Sequence, residues 1–328
     1  MEEILAILER SSTWVILAHE RPDGDTLGCG SALFQRGMTL GKRCFWGGAD
    51  PIPQSHSFLP FSASYSCWHS FPADEMELDE NWAIVVLDTS NPQRSIEGLV
   101  VPGAPFSIIN IDHHGDNSMF GNINWVDEIA SSVGEMIFDL FARADWNLTP
   151  GEAEALFVAI STDTGFFRFT CTTARTLKTA SALISSGADT SLIYGKIFEN
   201  RTLGGLHLWG AGLSRARLFS SGRICMTFLR NDDFSTTKAS KDESENLVNT
   251  LLSVSGVFVA LLLQEENGYC RASIRTRSPA NAREIAEIWG GGGHKRAAGC
   301  KIKGTLSDAE RDFVCKAGVI DEAWFSGN

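Results

Sequence analysis

Phe106-Ser-Ile-Ile-Asn-Ile-Asp112-His113-His114 is a short, isoleucine-rich apolar run that stops at an acid and two imidazoles. A run this short and β-branched reads as a strand buried on both faces. Residues 83–87 (AIVVL) repeat the pattern and end at Asp88, and residues 14–18 (WVILA) end at His19 and a Pro-Asp-Gly turn. Gly, Ala and Leu then recur at helix-compatible spacing over residues 26–40, and residues 131–144, 150–160 and 174–185 also read as helices. Strands interleaved with helices predict an α/β fold with a doubly wound, mainly parallel sheet, whose functional groups gather at the carboxyl ends of the strands.

The pattern changes towards the C-terminus. Residues 192–217 are helical in character, whereas 224–229, 257–264 and 269–276 are strand-like, 281–289 is helix-like, and 290–293 is a run of four glycines. The expected organisation is a catalytic domain at 1–190, a helical connector at 191–217 and a smaller α+β domain at 218–328, with the active-site cleft between the two domains. A length of 328 residues suits two domains.

With 43% hydrophobic and 21% charged residues, the composition is that of a soluble globular protein. No apolar run approaches the roughly 18 residues of a membrane span, and the acidic start lacks the basic flank of a signal peptide. A cytoplasmic location and no membrane partner are expected. Eight scattered cysteines form no Cys-x-x-Cys pair, so they read as thiols in a reducing compartment. The net charge of −12 disfavours grip on long duplexes, which requires many Lys and Arg at phosphates. A small anion can still be held locally by cations and a few basic side chains.

Four polar clusters sit at element ends: His19-Glu-Arg-Pro-Asp23-Gly-Asp25, Asp88-Thr-Ser, Asp112-His113-His114 and Ser161-Thr-Asp163-Thr-Gly165. Carboxylate and imidazole are the ligands expected for Mn²⁺ and ions of similar hardness. Bridging carboxylates are what a pair of cations about 3.5–4 Å apart requires. Taken singly, some clusters have a plain structural reading: Pro-Asp-Gly-Asp as a turn and Asp88 as a cap, while Asp163 alone is a weak signal. Adjacent histidines after an acid have no common structural role. The glycine run would let backbone amides approach an anion, with His294 and Arg296 as phosphate donors; a loop shaped by packing is the alternative. Arg275, Arg277 and Arg168 are further candidates, with a solvated surface as the alternative reading. His56, His69 and His207 fall outside every motif.

Taken in order, these motifs resemble those of the DHH phosphoesterase family, and the stretch from Gly290 to Gly299 (GGGGHKRAAG) resembles the substrate-binding domain of one branch of it. That branch includes RecJ exonucleases, oligoribonucleases that also dephosphorylate 3'-phosphoadenosine 5'-phosphate (pAp), and cyclic-dinucleotide phosphodiesterases. The resemblance implies two divalent cations, manganese first with magnesium or cobalt as alternatives. His19, Asp23 and Asp88 would hold one; Asp25, Asp88, His113 and Asp163 the other. Asp112 would orient an imidazole, and His114 would point at the substrate phosphate together with Arg296 and His294. Gly291, Gly292, Gly293, Arg275 and Arg168 would complete the substrate contacts. Thr26 and Cys29 depart from the family's usual Ala and Ser without touching a ligand position.

The implied activity is hydrolysis of short oligonucleotides of about 2–5 nucleotides and of pAp by water activated between the two cations. RNA or DNA oligonucleotides and small nucleotides would be the partners, and a homodimer is compatible with this reading. Two alternatives stay open: a soluble phosphodiesterase for cyclic or linear dinucleotides, and a nucleotide-binding regulator without turnover. Incubation with Mn²⁺ and a panel of these substrates separates them.

Overall fold

Burial on both faces is what the three central runs have in common. The computed structural model describes residues 1–68, 70–71, 79–99, 106–293 and 295–325, so His69 and His294 lie outside the described residues. Two compact units are present, Met1–Asn200 and Arg201–Asn328.

The first unit runs α1 (Glu2–Arg10), β1 (Thr13–Leu17), α2 (Gly24–Thr39), β2 (Arg43–Gly48), β3 (Tyr65–Cys67), β4 (Trp82–Leu87), β5 (Ser107–Asp112), β6 (Ile123–Val126), α3 (Val133–Arg143), α4 (Pro150–Asp163), α5 (Ala174–Ser185) and α6 (Thr190–Phe198). Its strands lie side by side in the order β3-β2-β1-β4-β5-β6, and every pairing is parallel. Every residue of β1 and β4 is buried. Trp14, Ile16, Val85, Ile109 and Ile111 face a core shared with the helices. The alternate residues Val15, Leu17, Ile84, Val86 and Ile108 pack with Phe71, Ile96 and Leu99. The strand order reverses between β1 and β4, and the crevice at such a reversal is where α/β sheets hold ligands.

Three strands of this sheet carry no Val/Ile run and escape the sequence reading. Arg43–Gly48 is only partly buried and contains two glycines, yet it pairs residue for residue with β1. Gly47 is dictated by that packing, since a Cβ there would lie 2.4 Å from the Ser66 carbonyl oxygen. Tyr65–Cys67, mostly exposed, and Ile123–Val126, half-buried, are short edge strands.

Helices α2 and α4 approach closely because Gly28 offers no side chain; a Cβ there would lie 2.3 Å from the Ala155 carbonyl oxygen. Gly28→Leu is therefore expected to destabilise the fold by about 1–3 kcal/mol or more through overpacking, read as a lower urea midpoint. An unchanged midpoint would show that the two helices can part without loss.

The second unit comprises α7 (Leu203–Ser214), β7 (Arg217–Phe219), β8 (Ile224–Leu229), α8 (Asn231–Thr237), α9 (Leu247–Leu251), β9 (Val259–Glu266), β10 (Tyr269–Thr276), α10 (Ala282–Glu287), β11 (Gly292–Gly293), β12 (Ala297–Lys303) and α11 (Leu306–Phe325). The sheet order is β11-β12-β10-β9-β8-β7, with β8 and β9 parallel and the other pairs antiparallel. Cys270, Ala272, Ile274, Ala298, Cys300 and Ile302 point into a core with α10 and α11. Their neighbours Arg271, Gly299, Lys301 and Lys303 are exposed on the opposite face, where Arg275 is half-buried. No helix among the described residues is long and apolar enough to cross a membrane.

Candidate metal centre

His19 and Asp23 follow β1, Asp88 follows β4, Asp112 ends β5, and Asp163 ends α4. Asp23 caps α2, accepting from the amides of Asp25 and Thr26 at 3.1 and 3.3 Å. That turn brings Asp25 inward, where it is 1% exposed. Gly24 permits the approach of α4, since a Cβ would lie 2.4 Å from Thr162 Oγ1. Asp88 adopts φ +54°, a left-handed conformation that Asp tolerates better than most residues, and its amide donates to the Ile111 carbonyl at 2.9 Å.

Three overlapping sets of ligand atoms lie within 4.8 Å of one another: His19, Asp23 and Asp88; Asp25, His113 and Asp163; Asp88, His113 and His114. Asp88 belongs to two of them. Both inner imidazoles are oriented through Nδ1, which donates to a backbone carbonyl: His19 to Glu20 at 2.7 Å and His113 to Ala130 at 3.3 Å. Their Nε2 atoms are thereby turned to the carboxylates. His19 Nε2 lies 3.6 Å from Asp23 and 3.4 Å from Asp88, and His113 Nε2 lies 3.4 Å from Asp88 and 3.3 Å from Asp163. These spacings exceed ordinary N–H···O bonds.

The electrostatics of the cluster call for positive charge. Burial raises the Asp25 carboxyl well above its usual range, and the Asp88 and Asp163 charges add to this. Asp163 is pushed up to about 7 by burial, with Asp88 and Asp23 adding to the rise against the opposing effect of His113. Burial acts on Asp88 in the same direction, but contact with His113 and His19 holds it below the carboxylate range. The Asp88 Oδ1 atom is buried and has no hydrogen-bond donor among the described residues. Convergent carboxylates, imidazoles presenting Nε2 and an orphaned carboxylate oxygen fit divalent cations of intermediate hardness.

His114 is oriented differently from the inner imidazoles. Its Nδ1 donates to Asp112 Oδ1 at 2.8 Å; burial lowers its pKa, but the Asp112 carboxylate raises it above the ordinary imidazole value. Asp112 is itself fixed by the Asn117 amide, which donates to Asp112 Oδ2 at 2.6 Å and to Asn110 Oδ1 at 2.8 Å. Asn110 and Asn117 are absent from the sequence-derived site. The signal for Asn110 is visible in retrospect, because a fully buried amide interrupts an otherwise apolar strand.

The other candidates belong to none of these ligand sets. Arg168 is exposed, with its guanidinium over the Phe169 ring at 5.3 Å. In the second unit, Arg275 projects from β10 opposite Ala297, and burial lowers its pKa. Arg296 donates to the Ala280 carbonyl at 2.9 Å. Gly291 is required by packing, since a Cβ would lie 2.3 Å from the Gly299 carbonyl oxygen, and Gly293 adopts φ +139°. A Cβ at Gly292 would meet nothing within 4 Å among the described residues. The glycine run is partly a strand, Gly292 and Gly293 pairing with Gly299 and Ala298.

A parallel sheet with a switch point, at whose strand ends aspartates and histidines gather, has the make-up of a cation-dependent hydrolase site. The DHH family N-terminal domain matches residues 13–160, the DHHA1 domain matches residues 223–317, and the chain belongs to the DHH family. It is similar to the bifunctional oligoribonuclease and PAP phosphatase NrnA of Thermus thermophilus, at 32% identity over 303 residues covering 92% of this chain and 88% of that protein. The NrnA of Bacillus subtilis is 30% identical over 305 residues, covering 92% of each chain. Among solved structures, an exopolyphosphatase-related protein from Bacteroides fragilis aligns with TM-score 0.88 at 25% identity, covering 98% of this chain and 97% of that one.

Proposed function

We propose that this phosphoesterase hydrolyses short oligonucleotides and pAp with two divalent cations, manganese by preference. The observation that carries the reading is Asp88, shared between two ligand sets at the sheet's switch point. His19, Asp23 and Asp88 would hold one cation; Asp25, Asp88, His113 and Asp163 the other. Bound there, the cations supply Lewis acidity at the phosphoryl oxygens and acidify the attacking water. The protein's own groups place the substrate. Asp112, itself held by Asn117, orients the His114 ring, and His114 would donate to a phosphoryl oxygen. Named relatives that act on oligoribonucleotides and PAP support the substrate class.

The second unit would hold the remaining phosphates through Gly292, Arg296 and Arg275, with Gly291 and Gly293 shaping the loop and His294 as a further donor. Arg271 and Lys301, opposite each other on β10 and β12, extend this basic face and were not legible as candidates from sequence. A net charge of −12 supports a short substrate over a long one.

Arg296→Ala is expected to cost about 2–4 kcal/mol of transition-state stabilisation, read in kcat/KM on short substrates, with metal content unchanged. On a ladder from two to twenty nucleotides, wild-type rates should fall steeply beyond about five, near the lower end of single-strand site sizes. Undiminished rates at twenty, or an unaffected variant, would remove the short-oligonucleotide reading.

A further inference from the structure

The peptide unit joining Ala130 to Ser131 is held from both sides. Its carbonyl accepts from His113 Nδ1 at 3.3 Å, and its N–H donates to Glu135 Oε2 at 2.8 Å. A planar trans peptide directs these two groups in opposite directions, so fixing one fixes the other. Glu135 is fully buried and also accepts from the Ser131 hydroxyl at 2.9 Å. Its second oxygen, Oε1, is buried without a hydrogen-bond donor among the described residues and lies 3.5 Å from Arg175 Nε.

Arg175 braces the same loop at its start. Its Nη1 lies 3.1 Å from Asp127 Oδ2, and its Nη2 lies 2.6 Å from Asp139 Oδ2. Asp127 is tied by its amide to the Asp112 carbonyl at 3.1 Å, and its own carbonyl accepts from the Ala130 amide at 3.0 Å. Just beyond Ser131, the amides of Val133 and Gly134 donate to the two oxygens of Asp25 at 2.7 and 2.9 Å. One loop therefore grips His113 by a carbonyl and Asp25 by two amides, and a single buried carboxylate sets its geometry.

We propose that Glu135, braced by Arg175, is a positioning residue that acts through the 130–131 peptide on His113 and orients the cation set made by Asp25, His113 and Asp163. A carboxylate accepting from one end of a peptide polarises it and makes its carbonyl a stronger acceptor. That holds the His113 ring with Nε2 towards the carboxylates and strengthens Nε2 as a ligand. His19 and Asp23, in the other set, are oriented instead by the Glu20 carbonyl and the first amides of α2. The inference rests on the two-cation reading, and its test separates the two.

Calorimetric titration of the metal-free protein with Mn²⁺ alone resolves the two equivalents. Glu135→Gln keeps an oxygen for Ser131 but turns an amide towards Arg175. It is expected to weaken one equivalent about 10–100-fold and leave the other unchanged, with kcat recovering at saturating Mn²⁺. Glu152→Gln is the control, altering a buried carboxylate bonded to Arg36 at 2.7 Å away from any ligand. It should lower the melting temperature while both equivalents keep wild-type affinity. Arg175→Gln, at a half-exposed site, carries the test if Glu135→Gln does not fold, with a loss of about tenfold at the same equivalent. Wild-type affinities in both relay variants, or an equal loss in Glu152→Gln, would overturn the relay. A wild-type protein that takes up no Mn²⁺ would overturn the proposed function, and the relay with it.

Discussion

Asp88→Ala is expected to lower kcat/KM by at least about 10³-fold, because Asp88, which groups with His19 and Asp23 and also with His113 and His114, is the ligand that the two proposed cation sets would share, and two-cation stabilisation supplies much of the barrier lowering in such sites. The alanine also meets a backbone φ of +54°, which adds strain to the loss of the carboxylate. Asp88→Asn isolates the chemistry, since Asn tolerates the left-handed region and matches the side chain in size. Both variants should show the same collapse in turnover, with the Asn protein keeping its far-ultraviolet dichroism and melting behaviour. Near-normal turnover by Asp88→Asn with cations bound would remove Asp88 as the shared ligand.

What the sequence discloses of this molecule follows from where side chains are constrained on two faces. The β1, β4 and β5 strands are legible because burial on both faces demands runs rich in Val, Ile and Leu. Arg43–Gly48 and Ile123–Val126 are not, because a half-buried strand can be written with Arg, Trp, Asn and Gly while its pairing comes from the neighbour's backbone. The same division runs through the site. His19, Asp23, Asp25, Asp88, His113 and Asp163 stand out as candidate ligands because only a few residue types can ligate, and the fold gathers them into overlapping groups. The groups that aim them are mostly backbone: the carbonyls of Glu20 and Ala130 and the amides of Val133 and Gly134. Any residue supplies those atoms, so no residue type marks them. Asn110 and Glu135 are the exceptions, polar side chains at fully buried positions whose purpose emerges only with their partners in place.

Chelation is expected to abolish activity, and Mn²⁺ should restore it better than Ca²⁺. Two imidazole nitrogens face the carboxylates, and Ca²⁺ prefers six to eight oxygens in a wider sphere, whereas Mn²⁺ accepts mixed nitrogen and oxygen ligation. The pH dependence has a definite sign. In the metal-free protein burial lowers the imidazole pKa values, but neighbouring carboxylates outweigh it and raise His19 and His113 to about 11. Asp163, pushed up mainly by burial, stands at about 7. Cations and protons therefore compete for the same lone pairs, and binding must release protons. Mn²⁺ affinity should weaken as pH falls, by about tenfold per pH unit for each proton displaced. Titrations between pH 6 and 8 in buffers of different ionisation enthalpy measure the protons released. Equal rescue by Ca²⁺, or Mn²⁺ binding that is independent of pH and releases no proton, would mean that His19 and His113 are not ligands.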